Sequence, residues 1–285
     1  MASQNHSQEI VIEANGKNLQ YWRDLWNYRS LVFYFAKRDF IVRYKQTLIG
    51  VAWSIIQPLI STFLMAFIFG SLAGFASGTN IPYRIVVYAG VLPWNLFARC
   101  VSMCSGTFGS SLELTKKTYF PRLIVPMANM LTALFDAAIS YVILFLLMGV
   151  YLYMPPTRFA LSFLFLLPIA LLGMFAGIIL SSFSIRWRDL HFIVPFLLQV
   201  GQYATPVAYS LSDLQKSIGG TDFFFNIMYY INPLMGFQSA FRWTVLDDQS
   251  FDLRSLLIGF CWLGLIVWVG IWRFRKVERT FVDIV

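Results

Sequence analysis

Between Lys45 and Arg84 the chain carries no charged residue at all. A helix needs about 20 mostly apolar residues to cross the hydrocarbon layer of a membrane. This stretch supplies one crossing over 49–72, followed by a Gly/Ser/Asn loop from Gly74 to Asn80. The same measure finds five more, over 84–112, 123–157, 159–185, 192–212 and 255–272. Charged residues make up 13% of the chain, against about 25% in a soluble domain, too few to coat a water-facing surface. The chain therefore reads as an all-α, polytopic membrane protein with six transmembrane helices.

The placement of Lys and Arg gives these spans an orientation. With the N-terminus inside, the inner segments hold Lys17, Arg23, Arg29, Lys37, Arg38, Arg43 and Lys45, then Lys116, Lys117 and Arg122. Arg186 and Arg188 follow the fourth span, and Arg273, Arg275, Lys276 and Arg279 close the chain. The outer segments hold only Arg84, Arg158, Lys216, Arg242 and Arg254, and Arg99 lies within a span. Sixteen against five, with an even number of spans, puts both termini in the cytoplasm. Residues 1–20 read as a polar tail without the apolar core of a signal peptide, so the chain is expected to insert through its own spans. Residues 21–47 mix Trp, Tyr and Phe with Arg and Lys at helical spacing, the pattern of an amphipathic helix in the headgroup plane. The six-span domain runs over 48–272. Within it, residues about 210–253 are too polar to span yet rich in aromatics, which fits short re-entrant helices. Residues 273–285 form a cytoplasmic tail.

No residue pattern for catalysis emerges. The two histidines, His6 and His191, stand apart, and no Cys/His spacing suits zinc. Cys100 and Cys104 read as small packing residues. Gly16-Lys17 is followed by Asn18 and lacks the earlier glycine of a phosphate-binding loop, so ATP and Mg are expected on a partner subunit, with no cofactor in this chain. Asp136 lies roughly 18 Å into the third span, at 1.5 Å per residue. An ionisable group at that depth is expensive, and Arg99 is its candidate partner. If the two pair, exchanging their charges should rescue either single change. Trp53, Phe63, Phe67, Tyr203 and Tyr209 are candidate stacking platforms for sugar rings along a conduit, and Gln57, Gln199, Gln202 and Thr205 suit a hydrated path. Trp262, Trp268 and Trp272 suit an interfacial belt. Gly70-x-x-x-Gly74 and Gly173-x-x-x-Gly177 invite close helix packing. The short charged loop 110–122, bounded by Pro121, reads as a cytoplasmic handle for a partner.

Five segments in order resemble a known family. They are Arg38 to Thr47 running into Leu48 to Pro58, Gly90 to Phe97, Lys116 to Arg122, Arg186 to Leu190, and Asn232-Pro233-Leu234. Together they resemble the permeases of type 2 ABC exporters for polysaccharides, over roughly 25–275. The resemblance implies a homodimer served by two cytoplasmic ABC ATPase subunits. It implies export of an undecaprenyl-pyrophosphate-linked glycan, such as O-antigen, capsule or teichoic acid, from cytoplasm to periplasm. On that footing the helix before the first span is a gate helix, with Arg38, Arg43 and Lys45 as candidates for the lipid pyrophosphate. The handle becomes the coupling helix, with Glu113, Lys116, Lys117 and Tyr119 as its ATPase contacts. Two rivals stay open: a membrane enzyme acting on lipid-linked sugars, and an ion-coupled flippase.

Overall fold

The computed structural model describes residues 18–45, 52–72, 74, 81–108, 120–184, 187, 189–209, 226, 229–247 and 251–282. Every regular element among them is helical. Two short helices lead, α1 (Asn18–Asn27) and α2 (Arg29–Lys45), broken at Tyr28. Then come α3 (Ala52–Met65), which continues as a π-helical stretch (Ala66–Leu72), α4 (Tyr83–Ser105) and α5 (Ile124–Val150). A single 3-10 turn (Thr157–Leu161) opens α6 (Ser162–Ser184). The chain ends with α7 (Leu190–Ala204), α8 (Met235–Val245) and α9 (Leu253–Val282).

The protein is a polytopic membrane protein. Five helices among the described residues are long and apolar enough to cross a bilayer: Ala52–Ser71, Tyr83–Ser105, Ile124–Val150, Thr157–Ser184 and Leu253–Glu278. The expected span at 192–212 differs. Its helix stops at Ala204, and 15 residues reach only about 22 Å. Pro206 explains the stop, because a residue before proline is driven out of the helical region, and Thr205 is extended at ψ 143°. The chain nonetheless completes the return. Cys100 and Cys104 in α4 meet Gly173 and Gly177 in α6, so these helices run in the same direction. Phe175 meets Gly270, and Phe183 meets Arg273, so α9 runs that way too. Between α6 and α9 the polypeptide must come back. It does so through α7 and the non-helical turn segment 205–209, which ends beside Tyr83 at the start of α4.

Non-helical backbone at membrane depth must find its hydrogen bonds within the protein. Here α8 supplies them. Gln238 Nε2 donates to Pro206 O at 3.0 Å, and Arg242 Nη1 donates to Pro206 O and Tyr209 O at 3.2 and 2.8 Å. Tyr83 Oη donates to Ala208 O, and Asn232 Nδ2 to Thr205 Oγ1. Arg242, counted from sequence as an outer-loop charge, is buried. Helix α8 itself is capped by Arg158, whose Nε and Nη2 donate to Trp243 O and Leu246 O while the guanidinium stacks over the Trp243 ring.

The core centres on α4. Some 72% of its span is buried, against 17% for the span at Ala52–Ser71. Helix packing without a hydrophobic drive depends on close approach of small residues, and the glycines mark where. A Cβ at Gly173 or Gly177 would stand 2.7 Å from the Cβ of Cys100 or Cys104, so the two cysteines serve as small packing residues against this pair. Gly74 departs from the expected packing motif. It sits at φ +77° and a Cβ there would meet nothing. The basic helix before the first span differs from the single in-plane helix read from sequence. Its second part follows α5, with Phe35 on Phe120, Val32 and Ala36 near Ile124 and Ala128, and Phe40 on Phe135.

Gly90 is where the turn segment 205–209 comes closest to α4: a Cβ there would stand 2.0 Å from Val207 O. Gly90→Ala should lower the thermal stability of the detergent-solubilised protein by about 1–3 kcal/mol, the range for overpacking. Gly149→Ala, where the added carbon meets nothing within 4 Å, should leave the melting midpoint unchanged or raised.

Candidate functional site

Asp136 sits midway along α5, nearly buried. Four side chains from three other helices close on it. Arg43 Nη1 of α2 donates to Oδ2 at 2.9 Å, and Arg99 Nε of α4 stands 2.7 Å from the same oxygen. The Arg99 contact is off the N–H axis, so it is an ion pair rather than an aligned hydrogen bond. Tyr44 Oη donates to Oδ1, and Ser54 Oγ of α3 lies 2.5 Å from the Tyr44 oxygen. Since Tyr44 directs its hydroxyl proton at the carboxylate, the serine is the donor in that pair. Arg43 also reaches Met103 Sδ at 3.6 Å. The sequence pointed to Arg99 as partner; Arg43 joins it. Tyr44 and Ser54 were missed, since nothing in a Tyr or Ser near a span boundary announces a carboxylate 92 or 82 residues away.

Arg38 and Lys45, named with Arg43 for the lipid pyrophosphate, stand apart from this cluster. Arg38 pairs with Asp39 at 2.8 Å and lies over the Phe35 ring, and Lys45 is exposed. Glu113, Lys116, Lys117 and Tyr119 lie outside the described residues. The aromatic candidates fall into two groups. On α3, Trp53, Gln57, Ile60, Phe63, Leu64 and Phe67 form one exposed stripe. Phe63 and Phe67 wall a concavity of about 250 Å³ near the first turn of α4. Tyr203 and Tyr209 meet instead in a seam with Phe69, Gln202 and Thr205 that is too tight for water. Trp262 donates to Tyr230 O at 2.7 Å, while Trp268 and Trp272 are exposed, as an interfacial belt requires.

The architecture is thus a helical bundle with a deep polar knot on one side of α5 and a poorly covered aromatic helix, α3. The model of the family described as "ABC-2 type transporter" matches residues 30–246. The chain belongs to the ABC-2 type transporter family. The matched range takes in α2, every helix through α8 and the Asp136 cluster. Among relatives, the O-antigen export system permease protein RfbA of Myxococcus xanthus is 24% identical over 263 residues, covering 92% of this chain and 97% of that protein. A protein of the same name from Klebsiella pneumoniae is 29% identical over 266 residues, covering 90% and 95%. The resemblance to polysaccharide exporter permeases read from the five motifs is therefore supported along nearly the whole chain.

The double engagement of Asp136 changes what a charge exchange does. Swapping Asp136→Arg with Arg99→Asp leaves Arg43 facing a new arginine. The swap alone should therefore fail to restore membrane-inserted, monodisperse protein, and adding Arg43→Gln should restore it. Asp136→Ala should cost on the order of 3 kcal/mol, because two guanidiniums lose their shared counter-ion. Either arginine changed singly to Gln should cost less. Fluorescence-detected size exclusion with heating checks the order.

Proposed function

We propose that this ABC-2 family chain is the permease subunit of an ATP-driven exporter. Its cargo is a lipid-pyrophosphate-linked glycan of the O-antigen type, moved from cytoplasm to periplasm. The observation carrying this reading is the end-to-end likeness to relatives from two genera that are both named O-antigen export permeases. A permease of this kind works as a homodimer with two cytoplasmic ABC ATPase subunits, which bind ATP and Mg, and both of its termini face the cytoplasm. The exposed stripe on α3 and the largely uncovered α7 suit a second copy and a conduit between copies. Exposed aromatic rings there offer flat, apolar faces to the C–H faces of sugars. Loop 110–122 is the coupling segment, through Glu113, Lys116, Lys117 and Tyr119.

An ion-coupled flippase needs a carboxylate that takes up and releases its ion. Asp136 is instead engaged by two arginines and a tyrosine, the arrangement of an inter-helix structural ion pair. The lipid pyrophosphate would meet Arg38 and Lys45 at the headgroup level, where charge-assisted contacts are strong, and Arg43 deeper, beside Asp136. Arg43 is also tied to Asp136, so it draws α5 into any movement of α2 that cargo binding causes.

Lys45 tests the cargo role cleanly, because it is exposed and its loss spares the Asp136 cluster. In a bacterium lacking its own permease, co-expression of this chain with its ATPase should restore surface glycan. Arg38→Ala combined with Lys45→Ala should cut surface glycan several-fold at normal protein level. Full display by the double variant removes these two residues from cargo binding. Absence of display by the unaltered pair overturns the export reading.

A further inference from the structure

Arg84 is the second residue of α4, at the end of the bundle away from α1. It is exposed, and among the described residues no carboxylate forms an ion pair with it. Its guanidinium is nonetheless held in place. It lies 4.5 Å from the Phe63 ring centroid and 5.9 Å from that of Tyr151, and Nη1 donates to Tyr151 Oη at 2.5 Å. A cation fixed between two rings, with donors still directed outward, forms an anion receptor that has already met its ordering cost. The concavity below it, about 250 Å³, is lined by Phe63, Phe67, Gly70 and Ser71. Three of these residues, Phe67, Gly70 and Ser71, belong to the π-helical stretch Ala66–Leu72. Such departures from α-geometry are uncommon and gather at functional positions. The first turn of α4 borders the same space through Pro82 and Tyr83, adding the positive end of a helix dipole.

We propose that Arg84, with Phe63, Phe67 and Tyr151, forms a binding site for a phosphate headgroup of net negative charge at this end of the bundle. The guanidinium takes the phosphate oxygens as a charge-assisted pair, and the rings and the π-helical wall take the first apolar or sugar atoms attached to it. The volume falls below the roughly 300–1,000 Å³ of drug-sized pockets, so the site accepts one headgroup and not a polymer. Two carriers offer this chemistry: an anionic phospholipid of the adjoining leaflet, or the polyprenyl pyrophosphate end of a delivered glycan. The second presupposes the export reading; the first does not.

The full-length protein, reconstituted in phosphatidylcholine nanodiscs, is titrated either with phosphatidylglycerol or with a short-chain polyprenyl pyrophosphate. Lipid retained on release is counted by native mass spectrometry. Wild-type protein should retain at least one of these over phosphatidylcholine, and Arg84→Ala should reduce that retention about tenfold, the worth of one charge-assisted contact. Arg84→Lys, which keeps the charge but not the planar stack, should fall between. Phe67→Leu, which leaves the arginine and the fold in place, should weaken retention several-fold. Arg254→Ala removes another cation near the start of α9, over Tyr230, and should change nothing. Preference for phosphatidylglycerol assigns the site to the bilayer, and preference for the pyrophosphate assigns it to the cargo. Equal losses in the Arg84 and Arg254 variants, or no preference over phosphatidylcholine, overturn the proposal. Glycan export is not read in this experiment, so failure of the export reading leaves its outcome intact.

Discussion

Inside a hydrocarbon layer a polar group has no water to fall back on, and each unmatched one costs several kcal/mol. Two places in this bundle follow from that single constraint. At the middle of α5, Asp136 is matched by Arg43, Arg99 and Tyr44. Beside α8, the carbonyls of the turn segment 205–209 are matched by Gln238, Arg242 and Tyr83. Neither set is made within one helix. Each therefore fixes the relative position of elements that apolar packing alone, equally content with lipid, would leave free to slide.

The two knots divide the labour. The Asp136 cluster binds α2 and α3 to the α4–α5 pair. It joins the basic helix that precedes the membrane domain to the helix that follows the handle loop. The Arg242 set holds the broken return between α6 and α9 against the most buried helix, α4. A helix that ended in lipid at Ala204 would expose the carbonyls of residues 205–209. The re-entrant α8, itself capped by Arg158, exists to receive them.

Much of this was legible in the sequence because apolar length and Lys/Arg placement are one-dimensional signals. Five crossings, the basic helix ahead of them and an aromatic outer segment all follow from spacing. The short fifth crossing was hidden because residues 192–212 are apolar enough for a span, and only Thr205-Pro206 betrays the stop. Arg242 was hidden for the same kind of reason: a lone arginine in an aromatic segment reads as an outer charge until the carbonyls it serves are seen. Arg43 was read as a cargo contact and its tie to Asp136 was not visible, since partners 93 residues apart leave no pattern in a single chain. The glycines show the limit most directly. Gly70-x-x-x-Gly74 and Gly173-x-x-x-Gly177 are identical as motifs, yet a Cβ at Gly74 would meet nothing within 4 Å, whereas both glycines of the second pack against α4 at Cys100 and Cys104.

The arginines differ in how they are held, and that difference sorts them by role. Arg242 is buried and donates to backbone carbonyls, so it serves the fold. Arg43 and Arg99 share one carboxylate with side chains about a third exposed. They are bound yet reachable, and an arriving anion can compete with Asp136 for them. Arg84 has a stack and a phenol and, among the described residues, no carboxylate, and it is exposed. The export reading proposed above asks that an anionic headgroup be drawn in by charge at one end and let go at the other. A guanidinium paired only with aromatic rings suits the second task, because the rings keep it in position after the anion leaves. A neighbouring carboxylate would collapse onto it and close the site.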